Sequence, residues 1–185
     1  MLGAILAAAL AATAPDCSYD RSALLALDQQ AFDQDPKGGW RAIANRPGCE
    51  AAAADLLRDY RLAHPRSSNE GILYWHEGQL RAFAGDAPSA APLLAKSRKV
   101  TDTAAWNPYV DATIAFLEGD KPRLLAARET LIAATPPPTW AQTVADAEAR
   151  FGVRFSWPPN LDVVDGLIAC FGRPYREAYV SPCRR

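Results

Sequence analysis

The dipeptide Gly85-Asp86 recurs 34 residues later as Gly119-Asp120, and each copy lies between two apolar helical segments. Trp106 and Trp140 repeat the same interval. Glycine commonly ends a helix because it tolerates the left-handed backbone that the turn requires. The spacing therefore predicts successive helix pairs of equal length, each turning at a glycine. A chance coincidence within an unrelated helical bundle is the alternative.

Apolar residues recur at helical spacing in both directions from these turns. No stretch alternates between apolar and polar residues for long enough to predict a β-sheet. The sequence therefore predicts an all-α fold. Its helices are expected from Ser18 or Asp20 to Asp35, at 40–44, from Cys49 to His64, from about 70 to Gly85, from Pro88 to Val100, from Asn107 to Gly119, from Pro122 to Ile132, from Trp140 to Phe151 and from Leu161 to Cys170.

Length and charge limit the classes of function. A chain of 185 residues fits one domain and can bury an adequate core without a structural metal. Basic and acidic residues nearly cancel, 20 against 21, and no run of lysine or arginine is long enough to follow a nucleic-acid backbone. We therefore predict no nucleic-acid partner and no cofactor.

The first fourteen residues are uncharged and apolar, and they resemble the core of a secretory signal peptide more than a membrane span. We predict a signal peptide at 1–14, a mature domain at 15–185 with no membrane span, and a periplasmic or secreted location. No basic residue precedes the apolar run, and Pro15 follows the Ala12-Thr13-Ala14 site directly. A buried first helix, or a start assigned too late, is the alternative.

Cysteine usage favours an oxidising compartment. The chain has four cysteines, Cys17, Cys49, Cys170 and Cys183, with no Cys-x-x-Cys pair and no nearby histidine to complete a zinc site. Of the three possible connectivities, the expected course of the first helices favours Cys17–Cys49 with Cys170–Cys183. Each bridge would then tie one end of the domain. Four buried free thiols are the alternative.

The chain resembles the tetratricopeptide-repeat family, in a degenerate or Sel1-like form, most clearly over 68–100 and 106–134. Gly78 and Ala90 match the small residues of the family pattern W-x2-L-G-x2-Y followed by A-x3-F. The resemblance implies antiparallel helix pairs stacked as a short right-handed solenoid with a disulfide-tied C-terminal cap. The other pattern positions hold Tyr74, Glu77, Arg81 and Leu94 in the first unit, and Ala112, Leu124 and Arg128 in the second.

The resemblance also implies a concave groove lined by the first helix of each pair, where such proteins commonly bind an extended peptide or a partner helix. Aromatic rings there would supply contact area at low entropic cost. The alternative is that the same rings pack in the core. The side chains expected to line the groove are Trp75, Gln79, Arg81, Trp106, Tyr109 and Thr113.

Catalysis has little support in the sequence. His76-Glu77 lacks the second histidine of a zinc-protease helix because Leu80 occupies that position, and His64 lies at a helix end before Pro65. We therefore predict a non-catalytic module that binds a protein or peptide in the cell envelope, with no catalytic or metal site. The alternatives are a small secreted hydrolase using Glu77 and Asp111, and a purely structural role in an assembly.

Overall fold

The computed structural model describes residues 14–65, 67, 69–180 and 182–184, and Phe151 by its backbone only. The expected signal peptide therefore lies outside the described residues, except for residue 14. All regular elements in the described part are helical, which confirms the all-α prediction. The helices are α1 Arg21–Leu25, α2 Arg41–Ala44, α3 Glu50–Ala63, α4 Glu70–Phe83, α5 Ala87–Ala95, α6 Trp106–Leu117, α7 Lys121–Ala133, α8 Trp140–Phe151, α9 Leu161–Ala169 and α10 Tyr175–Tyr179, with a π-helical turn at Gln30–Gln34. None of these helices is long and apolar enough to cross a bilayer.

The N-terminal helix is shorter than the sequence predicts. Asp20 caps α1 by accepting from the Ala23 amide at 3.0 Å, as expected for one of the two predicted start residues. The helix stops at Leu25, however, and does not continue to Asp35. The Asp28 carboxylate accepts from the Ala31 amide at 2.8 Å and begins a separate π-helical turn. A local side-chain bond thus competes with the continuous helix.

The two Gly-Asp turns have the same hydrogen-bonding pattern. Gly85 and Gly119 have φ angles of 83° and 72°, which glycine adopts without steric cost. The amides of Asp86 and Asp120 donate five residues back, at 2.9 and 2.8 Å, in the Schellman arrangement that ends a helix. Their carboxylates then accept from the third amide of the next helix, at 3.2 and 3.0 Å. One dipeptide therefore ends one helix and caps the following one.

Successive helices pack on each other from α3 to α7, and α9 packs on α6 and α7. The interior has two apolar clusters, and α4 contributes to both. Leu73 and Leu80 lie in the N-terminal cluster with Phe32 and Tyr60, whereas Trp75 and other α4 residues lie in the C-terminal one. Helix α4 therefore joins the two halves of the molecule.

A close helix contact supports the expected role of Gly78. A Cβ atom at this position would lie 2.8 Å from Leu94 Cγ and 3.1 Å from the Ala90 carbonyl oxygen of α5. Ala90 and Leu94 are fully buried. The absence of a side chain at Gly78 therefore sets the distance between α4 and α5.

The pattern of helix pairs ends after α7. Trp106 packs on Trp75, with ring centroids 4.8 Å apart, whereas Trp140 packs on Trp157 at 4.9 Å. None of residues 140–150 is buried, and α9 occupies the place beside α6 and α7. The three consecutive prolines at 136–138 favour an extended chain that leads α8 away. The interval between the two tryptophans therefore does not mark equivalent helices.

The C-terminal segment returns to the middle of the chain. Helix α10 packs on α9 and on α4, and Arg176 forms an ion pair of 2.5 Å with Glu50 at the start of α3. In a linear array each repeat contacts only its neighbours, so this return departs from a simple solenoid. Two disulfides, Cys17–Cys49 and Cys170–Cys183, confirm the expected connectivity and the disulfide-tied C-terminal segment.

Two glycine substitutions in α4 test the close contact. We expect Gly78→Ala to lower the free energy of unfolding by about 1–3 kcal/mol, because the new methyl group overlaps Leu94. Gly71→Ala is the matched control, since its methyl group meets nothing nearer than 3.7 Å. The control should be neutral or stabilising by about 0.5 kcal/mol, through helix propensity. Urea denaturation measures both, and equal effects of the two substitutions would contradict the packing role.

Candidate functional site

Three of the expected groove residues are core residues. Trp75, Tyr109 and Thr113 are 4%, 2% and 0% exposed. The ring of Trp75 lies 4.8 Å from that of Trp106 and 4.8 Å from that of Tyr109. The Thr113 hydroxyl donates to the Tyr109 carbonyl within α6. The structure therefore brings these residues together as expected, but their contacts are with the protein interior.

The other three expected groove residues have different surroundings. Trp106 is half-buried and donates from its indole nitrogen to the Ser97 carbonyl at 2.9 Å. Arg81 forms an ion pair of 2.6 Å with Asp55 of α3. The Gln79 amide nitrogen is buried, and the Gln79 side chain lies against the Tyr175 hydroxyl. No single open groove collects all six side chains.

The chain's own C-terminal segment covers the face that the resemblance assigns to a ligand. Helix α9 lies on α6, and α10 lies on α4. The Tyr175 ring packs against Phe83 and Phe116, with centroids 5.2 and 6.0 Å away. Burial raises the pKa of Tyr175 and of Tyr109 well above the ordinary value, and the nearby hydroxyls of Tyr175 and Tyr179 raise the pKa of Tyr109 further. Tyr109 is buried among Trp75, Trp106 and Tyr179 of α10.

An open pocket remains where the C-terminal segment meets the two Gly-Asp turns. This turn-edge pocket has a volume of about 460 Å³ and a mostly apolar, aromatic lining. Such concave apolar sites with a few polar groups are the usual form of ligand pockets. Its lining comprises Ala82, Phe83, Gly85, Ala87, Phe116, Leu117, Gly119, Phe171, Gly172, Arg173, Pro174, Tyr175 and Arg176.

The two arginines of the turn-edge pocket differ in how firmly they are held. Arg176 pairs with Glu50 at 2.5 Å, and its guanidinium lies 5.2 Å from the Phe83 ring centroid. Arg173 is 63% exposed, and its ion pair with Glu177 spans 3.9 Å. An exposed pair of this kind contributes between 0 and about 1 kcal/mol. Arg173 is therefore the more available of the two cations.

A shallow depression continues the pocket toward α3. It shares Phe83 and Arg176 with the turn-edge pocket, and Pro47, Glu50 and Ala51 complete the near side. Glu50 is largely buried and is paired with Arg176, so its charge is offset within the wall. The two cavities together form an opening that crosses the ends of α3, α4 and α6.

A buried polar cluster joins the π-helical turn to α4. The carboxylate of Asp33 is fully buried, lies 2.7 Å from His76 Nδ1 and accepts from the Trp40 indole at 2.8 Å. Burial alone would raise the pKa of Asp33, but the hydrogen bonds and charge of His76, with bonds from Trp40 and Gln34, hold it below the ordinary value. His76 therefore links α4 to the π-helical turn through Asp33.

The carboxylates of the hydrolase alternative have separate arginine partners. Glu77 is buried against Arg61, whose Nε donates at 3.0 Å, and Asp111 accepts from Arg98 Nε at 2.8 Å. Each charge is offset by its own arginine, so the two do not form an acid and base pair through a shared contact. Among the described residues, no group of three histidine, cysteine, aspartate or glutamate side chains could hold a metal ion.

The sequence analysis did not select the aromatic residues of the pocket, which are Phe83, Phe116, Phe171 and Tyr175. Phe83 and Phe116 lie in the last turns of α4 and α6, directly before the Gly-Asp turns, and the repeated turns could have marked them. No local pattern shows that the segment 171–176 folds back over these turns. That placement depends on contacts distant in sequence.

Acid sensitivity tests the Asp33 cluster. Because the folded-state pKa of Asp33 is lowered, its contribution to stability is complete above the unfolded pKa of about 3.9 and is lost as pH falls through the folded value. We expect Asp33→Asn to lower the free energy of unfolding by about 3 kcal/mol at pH 7, and by progressively less below about pH 4. Asp146→Asn, on exposed α8, is the control and should change stability by less than about 0.5 kcal/mol. A pH-independent difference between wild type and Asp33→Asn would contradict this role.

Removing the C-terminal disulfide tests the cover over α4 and α6. The Cys170–Cys183 bridge closes a separation of 13 residues, for which the chain-entropy estimate is about 3 kcal/mol. We expect the double substitution Cys170→Ser and Cys183→Ser to lower stability by about that amount and to speed amide exchange in α6. The matched double substitution Cys17→Ser and Cys49→Ser should also lower the stability of the protein. It should not speed amide exchange in α6 more than in α3. Hydrogen-exchange mass spectrometry distinguishes the two results, provided that each variant is measured at a denaturant concentration equally far below its own unfolding midpoint.

No protein-family model, curated protein or solved structure matches this chain. The resemblance to tetratricopeptide repeats therefore stays a prediction from the sequence, and the structure shows the two Gly-Asp turns and the close contact of Gly78 with α5. The turn-edge pocket is the surface from which a function is best argued.

Proposed function

We propose that the protein is a non-catalytic binding module of the cell envelope, and that it holds a protein or peptide partner at the turn-edge pocket. The observation that carries the proposal is an open cavity of about 460 Å³ walled by four aromatic rings. Buried aromatic anchors supply most of the affinity at protein interfaces. A single large apolar side chain of a partner fits a cavity of this size.

The surrounding contacts favour a preformed pocket. The disulfide Cys170–Cys183 restrains the segment that forms one wall, and the Gly-Asp turns fix the helix ends that form the other. Binding to such a site requires little ordering of the protein, which favours affinity. Disulfides are typical of proteins in oxidising compartments, which agrees with a periplasmic or secreted location. Within this proposal, the helix pairs act as a frame of tetratricopeptide type.

Photocrosslinking and a pocket-filling substitution test the proposal. Ala87 lines the pocket at the start of α5, and Val100 is fully exposed in the loop after it. We expect p-benzoylphenylalanine at position 87, and not at position 100, to capture one partner of defined mass from the cell envelope. The purified partner should then bind Ala87→Trp at least about tenfold more weakly than wild type, because the indole occupies the cavity.

Ala126→Trp is the matched control, since Ala126 is exposed on α7 and does not line the pocket. It should bind the partner as wild type does. Circular dichroism first establishes that both tryptophan variants fold. Equal capture from positions 87 and 100, or unchanged binding by Ala87→Trp, would contradict binding at this pocket.

A further inference from the structure

We propose that the occupant of the turn-edge pocket is an internal partner segment in which a large apolar side chain adjoins an aspartate or glutamate. This inference rests on the proposed function and adds the chemistry of the occupant. The apolar side chain lies among Phe83, Phe116, Phe171 and Tyr175, and the carboxylate pairs with Arg173.

The walls of the turn-edge pocket support the first part of the proposal, that the occupant contributes a large apolar side chain. The rings of Phe116 and Phe171 meet edge to face at 5.9 Å, and Tyr175 packs against Phe83 on the other side. The Tyr175 ring forms part of the wall, while its buried hydroxyl lies against the Gln79 side chain. The pocket therefore offers ring surface, and burying an apolar side chain there is favourable by about 25 cal/mol per Å².

The acidic half follows from charge complementarity. The only charged side chains that line the described pocket are Arg173 and Arg176, and no carboxylate lines it. Glu50 holds Arg176 at 2.5 Å, whereas Arg173 has a long, exposed contact of 3.9 Å with Glu177, so Arg173 is the cation that a ligand can engage. The Lys121 ammonium, 5.7 Å from the Phe171 ring centroid, adds a second positive charge at the same end. A ligand carboxylate can replace the long contact between Arg173 and Glu177 without leaving a buried charge unpaired.

The shape of the opening favours a segment that passes through. The pocket continues over Phe83 and Arg176 into the depression beside Pro47 and Ala51. A bound chain can therefore enter on one side and leave on the other, so its carboxylate belongs to a side chain. A chain terminus would need an end wall, and the shared lining of the two cavities offers a continuation there.

Glycine resonances provide a direct test with the intact protein. Gly85, Gly119 and Gly172 line the pocket, whereas Gly71 and Gly152 lie elsewhere. The probes are acetylated, amidated hexapeptides of glycine and serine that place Phe beside Glu in either order. Titration into glycine-selective ¹⁵N-labelled protein should shift the three pocket resonances in a saturable way and leave the other two unchanged.

Matched peptides separate the two halves of the proposal. Replacing Glu by Gln should weaken binding roughly three- to fivefold, as expected for one exposed ion pair. Replacing Phe by Ala should abolish the shifts. Equal dissociation constants for the Glu and Gln peptides would overturn the acidic half. Tighter binding of a Glu-free peptide ending in Phe with a free carboxylate would overturn the internal segment.

A charge reversal in the protein completes the test. Arg173→Glu should prefer a peptide with Lys in place of Glu, whereas Lys37→Glu, which makes the same change in net charge at an exposed site, should keep the wild-type preference. An unchanged preference in Arg173→Glu would overturn the assignment of the carboxylate to that residue. If no peptide shifts the pocket resonances while position 87 still crosslinks a partner, this inference fails and the proposed function stands. If no peptide shifts the pocket resonances and position 87 captures no partner, both this inference and the proposed function fail.

Discussion

The packing of Tyr175 between the ends of α4 and α6 is the contact on which the binding surface depends. Tyr175 packs against Phe83 at the end of α4 and against Phe116 at the end of α6, and the turn-edge pocket lies open beside these contacts. Trp75 and Tyr109 are core residues whose rings lie 4.8 Å apart, and the ring of Trp75 also packs on that of Trp106. The described surface at these helix ends is therefore a pocket of about 460 Å³ with one wall from the C-terminal segment.

The local features of the fold follow from the sequence. The Gly-Asp turns, the helix pair around Gly78 and the connectivity of the disulfides each depend on residues close in the chain or on the geometry of one helix pair. Backbone conformation at Gly85 and capping by Asp86 are decided within a few residues. Such features are therefore accessible to pattern and spacing.

The candidate site could not be predicted in the same way. Its walls come from α4, α6 and the segment 171–176, and Arg176 reaches Glu50 across more than half of the sequence. Nothing in the local pattern of Phe171 or Tyr175 indicates which helices they contact. The sequence left two interpretations of Trp75, groove or core, and periodicity could not decide between them because its burial depends on packing against Trp106 and Tyr109 of α6. Similarly, Asp28 ended the first helix early through one side-chain bond that helical periodicity does not reveal.

Buried polar groups also determine how the two halves of the molecule meet. Asp33 with His76, and Arg61 with Glu77, attach the elements before α4 to the polar side of that helix, while its apolar positions serve the cores. Desolvation offsets much of the attraction in such pairs, so their net contribution to stability is small relative to the cost of breaking one partner. Their geometric requirement is strict, and they favour one orientation of α4 over others of similar apolar burial.

Helix α8 has a different relation to the rest of the molecule. It follows three prolines, packs Trp140 on Trp157, and contributes no buried residue between 140 and 150 to the core. Elements with so few buried contacts open at low free energy and independently of the remaining structure. The chain between α7 and α9 is therefore the place where related sequences can gain or lose residues at little structural cost. Evolution can attach new surface there while the turn-edge pocket keeps its shape.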